Sequence, residues 1–212
     1  MASLALLLAA TSANIALAQT FASTTTFDFA GNTFPTGLVK SDWPVEDEPL
    51  SRLLVPENVR VQDGFMELLV PGGQSESPIL CAEVATEFRV QSASVRTYAI
   101  LTDEHGVVNG MFHYHNVSQE TDIEWLSDPE SFQNIEFSAN GSRPLMYTNQ
   151  GPNGNVDAIT VSGRAPTDAT TAVHEYRLDW TPDATRFYLD GVLHQTQTRY
   201  VPSAPGEWYW NN

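Results

Sequence analysis

Three carboxylates alternate along one short stretch of the sequence, at Glu120, Asp122 and Glu124. Alternate side chains of a β-strand point to the same face, so this spacing predicts a row of three carboxylates. Like charges so close together raise one another's pKa, and carboxyl groups with different pKa values can divide the roles of acid and base. Two such groups flanking a glycosidic bond can hydrolyse it. The stretch is therefore a candidate for acid–base chemistry on a sugar.

The order of long and short side chains bears on this chemistry. Hydrolysis with retention needs the two carboxyl groups about 5–5.5 Å apart, whereas residues four positions apart in a strand are about 13 Å apart at Cα. Two glutamates can lean together across most of that gap, while Asp122 between them hydrogen-bonds one neighbour. The ordinary alternative is a solvated sheet face, because acidic triplets are common in acidic proteins. The triplet alone leaves both interpretations open.

A second group of potential ligands precedes the triplet, at His113 and His115 with Glu120 five residues further on. Two imidazoles and a carboxylate at this spacing are similar to the metal motif of cupins and could form a facial metal site. The glycines that flank the cupin motif are absent, with Val107 and Ser127 in their places. We therefore expect surface or edge histidines and no metal site.

Aromatic residues are frequent near the triplet and at the end of the chain. Their faces can stack on the apolar C–H faces of sugar rings. The set comprises Phe112, Tyr114, Trp125, Tyr147, Trp208, Tyr209 and Trp210. By alternation Trp125 lies on the face opposite the carboxylates, so we expect it, like Trp180, in the core.

The elements that must position these residues are short strands. No apolar period of 3.6 persists over three turns, and strand-like runs alternate with turn signals. We predict strands at 110–115 and 131–138 and a loop at 149–155. Residues 174–198 predict a three-strand meander with a type I′ turn at Asp190-Gly191. The fold class predicted is all-β, an antiparallel β-sandwich or β-jelly roll.

Composition narrows the class of partner. The 212 residues carry a net charge of −16, which argues against nucleic acid and favours an uncharged substrate. The only cysteine, Cys81, allows no internal disulfide and is expected as a buried thiol. Nucleophile-elbow, Walker, C-x-x-C and H-E-x-x-H motifs are absent from the sequence. We expect a monomer that binds neither nucleic acid nor membrane.

The first 18 residues are expected to be a secretory signal peptide. A short apolar run at 4–10 is followed by the A-x-A pattern Ala16-Leu17-Ala18. We therefore predict a signal peptide at 1–18 and a single domain at 19–212. Two N-x-S sequons, at Asn116 and Asn140, are predicted glycosylation sites in a secreted protein.

Four motifs resemble, in order and spacing, those of glycoside hydrolase family 16. They are the E-x-D-x-E of 120–124, the preceding strand 110–116, the H-x-Y-x-x-D-W-x-P segment of 174–182 with its Y-x-D-G at 188–191, and the P-x-x-P-G of 202–206. The resemblance runs from residue 80 to the end, and the motifs are similar to those of secreted fungal endo-β-1,3(4)-glucanases. It implies a concanavalin A-like jelly roll. Members normally continue with further core strands beyond the position of Asn212, so we expect a C-terminally incomplete domain.

The resemblance also implies roles for residues. Glu120 would be the nucleophile, Asp122 the assisting carboxylate and Glu124 the general acid/base. The residues matching substrate-binding positions are Glu83, Phe112, Tyr114 and Asn211. At Ala85 the family commonly has an arginine.

The function implied is a secreted, endo-acting β-glucanase. It would hydrolyse neutral β-1,3 or mixed β-1,3/1,4 glucan by a retaining double displacement, outside the cell or in the cell wall. No cofactor is implied, and the sequence gives no information on a structural calcium. Two alternatives stay open: a cell-wall glucan transglycosylase with the same active site, and a non-catalytic, lectin-like glucan-binding module.

Overall fold

The computed structural model describes residues 21–46, 50–138 and 142–212. The predicted signal peptide at 1–18 and the sequon at Asn140 lie outside these described residues. Within the described ranges, no helix is long and apolar enough to cross a membrane.

The regular elements of the described chain are almost all short strands. They are β1 (Leu38–Lys40), β2 (Pro44–Val45), β3 (Arg52–Leu54), β4 (Val59–Gln62), β5 (Phe65–Leu68), β6 (Ile79–Cys81), β7 (Glu83–Thr86), β8 (Ala93–Ala99), β9 (Val108–Asn116), β10 (Gln119–Leu126), β11 (Leu145–Gly151), β12 (Gly154–Gly163), β13 (His174–Thr181), β14 (Ala184–Leu189), β15 (Val192–Gln197) and β16 (Glu207–Asn211). A 3₁₀-helix at Pro56–Asn58 and an α-helix, α1, at Phe132–Phe137 complete the elements of the described residues.

Two antiparallel sheets form the body of the molecule. Seven strands are ordered β1-β7-β16-β9-β10-β11-β12, and four are ordered β15-β14-β13-β8. Two smaller sheets, β2-β3-β6 and β4-β5, lie outside this pair. Because β16 lies between β7 and β9, segments far apart in the sequence meet beside β10.

The two large sheets pack face to face through one hydrophobic core. The seven-stranded sheet contributes Met111, Ile123, Tyr147 and Trp208, and the four-stranded sheet contributes residues such as Phe187. Full burial of one such large apolar side chain contributes about 1.5–3 kcal/mol, so this core is the main source of stability.

The strand β10 alternates as predicted. Ile123 and Trp125 are 2% and 4% exposed and belong to the core between the sheets. Glu120, Asp122 and Glu124 therefore lie on the outer face of the seven-stranded sheet. The expected core positions of Trp125 and Trp180 are both confirmed.

A second cluster supports the far end of the seven-stranded sheet. Leu38, Val59, Ala82 and Val84 are buried there, with Trp210 packed against them. This cluster fixes β7, which begins at Glu83. Cys81 is a buried free thiol just before it, as expected.

The predicted strand at 131–138 is wrong, because this segment forms α1. Ser131 caps the helix by accepting a hydrogen bond from the backbone N–H of Asn134. The fully buried Asn134 side chain donates to the carbonyl oxygens of Leu126 and Asp128, which fixes the turn against the end of β10. These capping bonds override the β-compatible pattern.

The loop predicted at 149–155 is also largely wrong. β11 continues to Gly151 and β12 begins at Gly154, so only Pro152 and Asn153 form the turn. The meander of β13, β14 and β15 is confirmed. Asp190 and Gly191 have φ of 49° and 76°, as a type I′ turn requires.

Candidate active site

The strand register brings the three carboxylates of β10 together with most of the other predicted site residues. Residues that pair across neighbouring strands share a face of the sheet. On one side of β10 the pairs are Glu120 with Tyr114, Asp122 with Phe112, and Glu124 with Gly110. On the other side, Asp122 pairs with Thr148 and Glu124 with Met146. We call this surface the carboxylate face.

Asp122 is the most enclosed of the three carboxylates. It is 3% exposed, and the amide Nε2 of Gln150 donates to its Oδ2 over 3.3 Å. Burial raises the pKa of Asp122 well above its ordinary value, and the charges of Glu120 and Glu124 raise it further. Asp122 therefore keeps its proton to a higher pH than an exposed aspartic acid does.

Glu120 is partly exposed and accepts a hydrogen bond from its neighbour Asp122. Burial raises the pKa of Glu120 to about 7, and the charge of Glu124 adds to the rise. The hydrogen bond from Asp122 acts in the opposite direction, because it stabilises the ionised form of Glu120. Of these two carboxyl groups, Glu120 is the first to ionise.

The two cross-strand neighbours of Glu124 offer it no polar side-chain group. Its cross-strand neighbours are Gly110 and Met146, and Met146 is 2% exposed. Burial among these groups raises the pKa of Glu124. Glu124 therefore keeps its proton to a higher pH than an exposed glutamic acid does.

Three aromatic rings adjoin the carboxylates. Phe112 and Tyr209 stack with centroids 5.3 Å apart, and Tyr114 meets Tyr209 edge-on at 6.2 Å. Tyr209 pairs with Phe112 across β16 and β9, whereas Trp208 is in the core. The sequence analysis named Tyr209 among the aromatic residues that could stack on sugars, but did not distinguish it from Trp208 and Trp210. The alternation of β16 separates it from its tryptophan neighbours.

The predicted substrate-binding residues Glu83 and Asn211 lie at the far side of this face. Glu83 accepts hydrogen bonds from Ser41 Oγ at 2.6 Å and from Asn211 Nδ2 at 3.3 Å. Burial raises the pKa of Glu83. Ser41 was not anticipated, because it lies far from the other motifs in sequence. Ala85, the position where the family has arginine, pairs with Tyr209.

The histidines do not form a metal site with Glu120. His113 lies on the inner face, is fully buried and packs on Trp180 with ring centroids 4.1 Å apart. Its expected surface position is therefore wrong. Burial lowers the pKa of His113 to about 4. His115 is exposed, as expected, and bonds the carbonyl oxygen of Pro205.

No group of three His, Cys, Asp or Glu side chains suited to a metal ion occurs among the described residues.

Gln119 is a further residue that the sequence analysis missed. A register irregularity falls between Gln119 and Glu120, and such bulges redirect side chains. Gln119 Oε1 accepts bonds from the backbone N–H groups of Ser203 and Ala204, at 2.7 and 3.1 Å. The loop leading to β16 is thereby tied to the strand of the carboxylates.

A cavity and the predicted glycosylation site Asn116 are two further surface features. This cavity of about 950 Å³ is lined by Trp125, Arg143 and Arg164 among others, and by none of the three carboxylates of β10. The predicted glycosylation site Asn116 is exposed, and its Oδ1 accepts bonds from the N–H and Oγ of Ser118.

The fold and the carboxylate face define a class of protein: β-jelly rolls that carry an E-x-D-x-E strand on one large sheet. Residues 52–207 match the model of glycosyl hydrolases family 16. The chain belongs to this family, as its motifs indicate.

Curated relatives and solved structures agree with this assignment. The chain is 34% identical over 107 residues to a β-glucanase of Paenibacillus polymyxa, covering 48% of this chain and 39% of that protein. It therefore spans about two fifths of the length of that relative. Its fold is similar to Bacillus licheniformis β-glucanase, with a TM-score of 0.66 and 21% identity over 87% of this chain and 83% of that one. It is also similar to a β-1,3-1,4-glucanase (lichenase) derived from a mouse hindgut metagenome, with a TM-score of 0.66 and 17% identity over 87% and 84% of the chains.

Proposed function

We propose that this chain is an endo-acting β-glucanase that cleaves β-1,3 or mixed β-1,3/1,4 glucan with retention. Family membership and the β-glucanase names of the relatives support the reaction class. The observation that carries the mechanism is the row of three carboxyl groups on one sheet face, each with a raised pKa. Retaining hydrolysis requires one ionised and one protonated carboxyl group beside the same bond.

In the first step Glu120 attacks the anomeric carbon and forms a glycosyl ester. Glu124, protonated because of its burial, gives its proton to the departing glycosidic oxygen. The neutral Asp122 donates a hydrogen bond to Glu120, which keeps Glu120 ionised until attack. The bond between sugar and leaving oxygen breaks as the bond to Glu120 forms.

In the second step Glu124, now ionised, removes a proton from water. The water oxygen attacks the anomeric carbon, and Glu120 leaves as a carboxylate. Two inversions at the same carbon return the original configuration. Glu124 regains the proton that it needs for the next cycle.

The substrate that this face favours is a neutral polysaccharide. The rings of Phe112, Tyr114 and Tyr209 offer apolar surfaces to sugar C–H groups. Glu83 and Asn211 offer hydrogen-bonding groups to sugar hydroxyls. A chain with a net charge of −16 would repel an anionic polymer, so a β-glucan fits better than a charged polysaccharide.

We further propose that the protein is secreted and acts outside the cell. The apolar run and A-x-A pattern within residues 1–18 support export. The exposed turn at Asn116 presents a sequon in accessible form. Mass spectrometry of the exported protein would find Gln19 at its N-terminus and a glycan on Asn116. An intact residue 1 in the exported protein would contradict the proposal.

The reaction is tested by a reducing-sugar assay on laminarin, lichenan and chitin. We expect release from one or both glucans and none from chitin. Glu120→Gln should lower turnover by roughly 10⁴-fold or more, because the nucleophile is lost. The circular dichroism of the variant should match that of the parent. Near-normal turnover of folded Glu120→Gln would refute the assignment.

The same assay separates the two alternatives. A labelled acceptor oligosaccharide that is extended faster than water is consumed would identify a transglycosylase. Calorimetry that shows glucan binding without reducing-sugar release would identify a lectin-like module.

A further inference from the structure

Asp122 donates to Glu120 in the proposed reaction, whereas its buried partner Gln150 has no role there yet. Asp122 is 3% exposed and Gln150 is 8% exposed, and 3.3 Å separates Gln150 Nε2 from Asp122 Oδ2. Gln150 lies where the register of β11 with β12 is irregular, between Asn149 and Gly151. A bulge of this kind redirects a side chain, here toward β10.

The direction of this hydrogen bond distinguishes the two oxygens of Asp122. A neutral carboxyl group has one hydroxyl oxygen, which donates, and one carbonyl oxygen, which is the better acceptor. Since Nε2 can only donate, Oδ2 is the carbonyl oxygen and the proton belongs on Oδ1. No described group donates a hydrogen bond to the buried Oδ1, which leaves this oxygen for the proton. Glu120 is the neighbouring carboxyl group whose hydrogen bond with Asp122 raises the pKa of Asp122.

We propose that Gln150 is a positioning residue that confines the proton of Asp122 to Oδ1, the oxygen left to donate to Glu120. The proposal rests on the retaining mechanism above and deepens it. Gln150 does not touch the reacting atoms, and acts through Asp122 on the ionisation of the nucleophile. Without the amide, the proton could occupy either oxygen, and the hydrogen bond to Glu120 would weaken.

The other groups that face Asp122 do not determine which of its two oxygens carries the proton. Glu120 and Glu124 from β10 are acids, and both raise the pKa of Asp122. The titratable groups on the β9 side are Tyr114 and, beyond Phe112, Tyr209 of β16, whose pKa values are also raised. Thr148 of β11 pairs with Asp122 but bonds Thr160 Oγ1 through its hydroxyl.

The test compares two variants of Gln150 with a matched control. Gln150→Met keeps the length of the side chain but removes the donor. Gln150→Glu keeps the shape and replaces the donor by a second carboxyl group. Gln197→Met is the control, because Gln197 is another buried glutamine, 4% exposed, which donates to the carbonyl oxygen of Tyr147.

The primary readout is the pKa of Glu120, measured by carboxyl ¹³C NMR titration. We expect Gln150→Met to raise this pKa by about half to one unit, the size expected for one weakened hydrogen bond. Gln150→Glu should raise it further, because it adds a like charge. Gln197→Met should leave it unchanged even if it lowers the melting temperature. This readout does not depend on hydrolysis, so failure of the proposed function is seen separately in the wild-type assay.

Kinetics provide the second readout. We expect the acid limb of the kcat/KM profile to move to higher pH in both Gln150 variants. At pH 6 kcat should fall about threefold to tenfold, with KM within twofold of the parent, as a weakened hydrogen bond to Glu120 predicts.

Several results would overturn the proposal. A Glu120 pKa unchanged in both variants would show that Gln150 is only structural, as would failure of both variants to fold. An equal rise in Gln197→Met would show that the effect is not specific. A fall in the pKa of Glu120 in Gln150→Met would mean that Gln150 accepts the proton of Asp122 and competes with Glu120.

Discussion

Single residues on β10 owe their different roles to their surroundings. Glu120, Asp122 and Glu124 have the same functional group and nearly the same spacing. Asp122 is buried between two carboxylates, Glu120 receives a hydrogen bond from it, and Glu124 adjoins Met146. The sequence predicts the row from its alternation. It does not predict the differences, because these depend on neighbours from β9 and β11.

The buried position of Glu120 is expected to lower the free energy of unfolding at a pH where Glu120 is ionised. Its folded pKa is about 7 and its ordinary value is 4.5, so the penalty from Glu120 is absent below pH 4.5 and grows as pH rises through 7. The loss amounts to roughly 3 kcal/mol at most. We therefore expect Glu120→Gln to be more stable than the parent at pH 8, with the difference disappearing below pH 4.5. Urea unfolding at both pH values measures this.

Glu130→Gln is the matched control, since Glu130 is exposed. Its stability should follow that of the parent at both pH values. Equal stability of Glu120→Gln and the parent at pH 8 would contradict the assigned burial.

Gly110 gives a second prediction for a single residue. It pairs with both Glu124 and Asn211, and a Cβ at Gly110 would overlap Asn211 Oδ1. Gly110→Ala should displace the Asn211 amide from Glu83. We expect KM for glucan to rise about fivefold, equivalent to about 1 kcal/mol, with a smaller effect on kcat.

The control for this substitution is Gly72→Ala, where a Cβ would meet nothing within 4 Å. Initial rates over a range of lichenan concentrations provide the measurement. An unchanged KM in Gly110→Ala would argue against a binding role for Asn211.

At the scale of elements, the sequence predicts a turn or strand correctly where the residues of that segment determine its conformation. The type I′ turn at Asp190-Gly191 depends on two residues that tolerate positive φ, and the meander around it is correctly predicted. α1 depends on Ser131 as its cap and on Asn134 reaching back to β10. The sequence alone does not reveal such side-chain bonds, so the helix is missed. The extent of β12 depends on pairing with β11, which local propensity does not show.

One loop contact predicts a pH dependence of stability. His174 lies between Asp190, 2.8 Å from Nδ1, and Asp168, 3.1 Å from Nε2. The hydrogen bond with Asp190 raises the pKa of His174 above 6.5, with a further rise from Asp168. The resulting stabilisation is fully present below pH 6.5 and is lost as pH rises through the raised pKa.

His174→Gln should therefore be less stable than the parent at pH 5 and nearly equal to it at pH 9. The difference should be under about 1 kcal/mol, because the carboxylates are half exposed. Thermal melts at the two pH values measure it, with His105→Gln at an exposed histidine as control. A larger difference at pH 9 than at pH 5 would reverse the sign and contradict the assignment.

At the scale of the whole molecule, the fold assembles the candidate site from distant segments. Glu83 and Asn211 are 128 positions apart, yet they share a hydrogen bond because β16 pairs with β7. The family motifs predicted both residues and the sandwich. They did not predict Ser41, Gln119 or Tyr209, because sheet order and register place these three residues.

The buried His113 predicts how the molecule responds to acid. Its folded pKa is about 4 and its ordinary value is 6.5, so stability falls as pH drops from 6.5 to 4. The loss is roughly 3 kcal/mol at most. His113→Gln should remove this part of the acid sensitivity. We expect the variant to lose less unfolding free energy than the parent between pH 7 and pH 4.

The pH dependence of the carboxylates is common to both proteins and cancels in this comparison. His115→Gln, at an exposed histidine on the same strand, is the control. If parent and His113→Gln lose the same stability between pH 7 and pH 4, the core histidine is not the acid-sensitive group.

The most direct test of the account is to trap the covalent intermediate. The protein is incubated with a 2-deoxy-2-fluoro glucan-oligosaccharide donor that slows the second step, digested, and examined by mass spectrometry. We expect one added 2-fluoro oligosaccharide on the peptide that contains Glu120, and no adduct on that peptide in Glu120→Gln. A parent that turns over glucan while forming its adduct on another residue would contradict the assignment of Glu120 as the nucleophile. A parent that turns over glucan and releases products of inverted configuration would contradict retention.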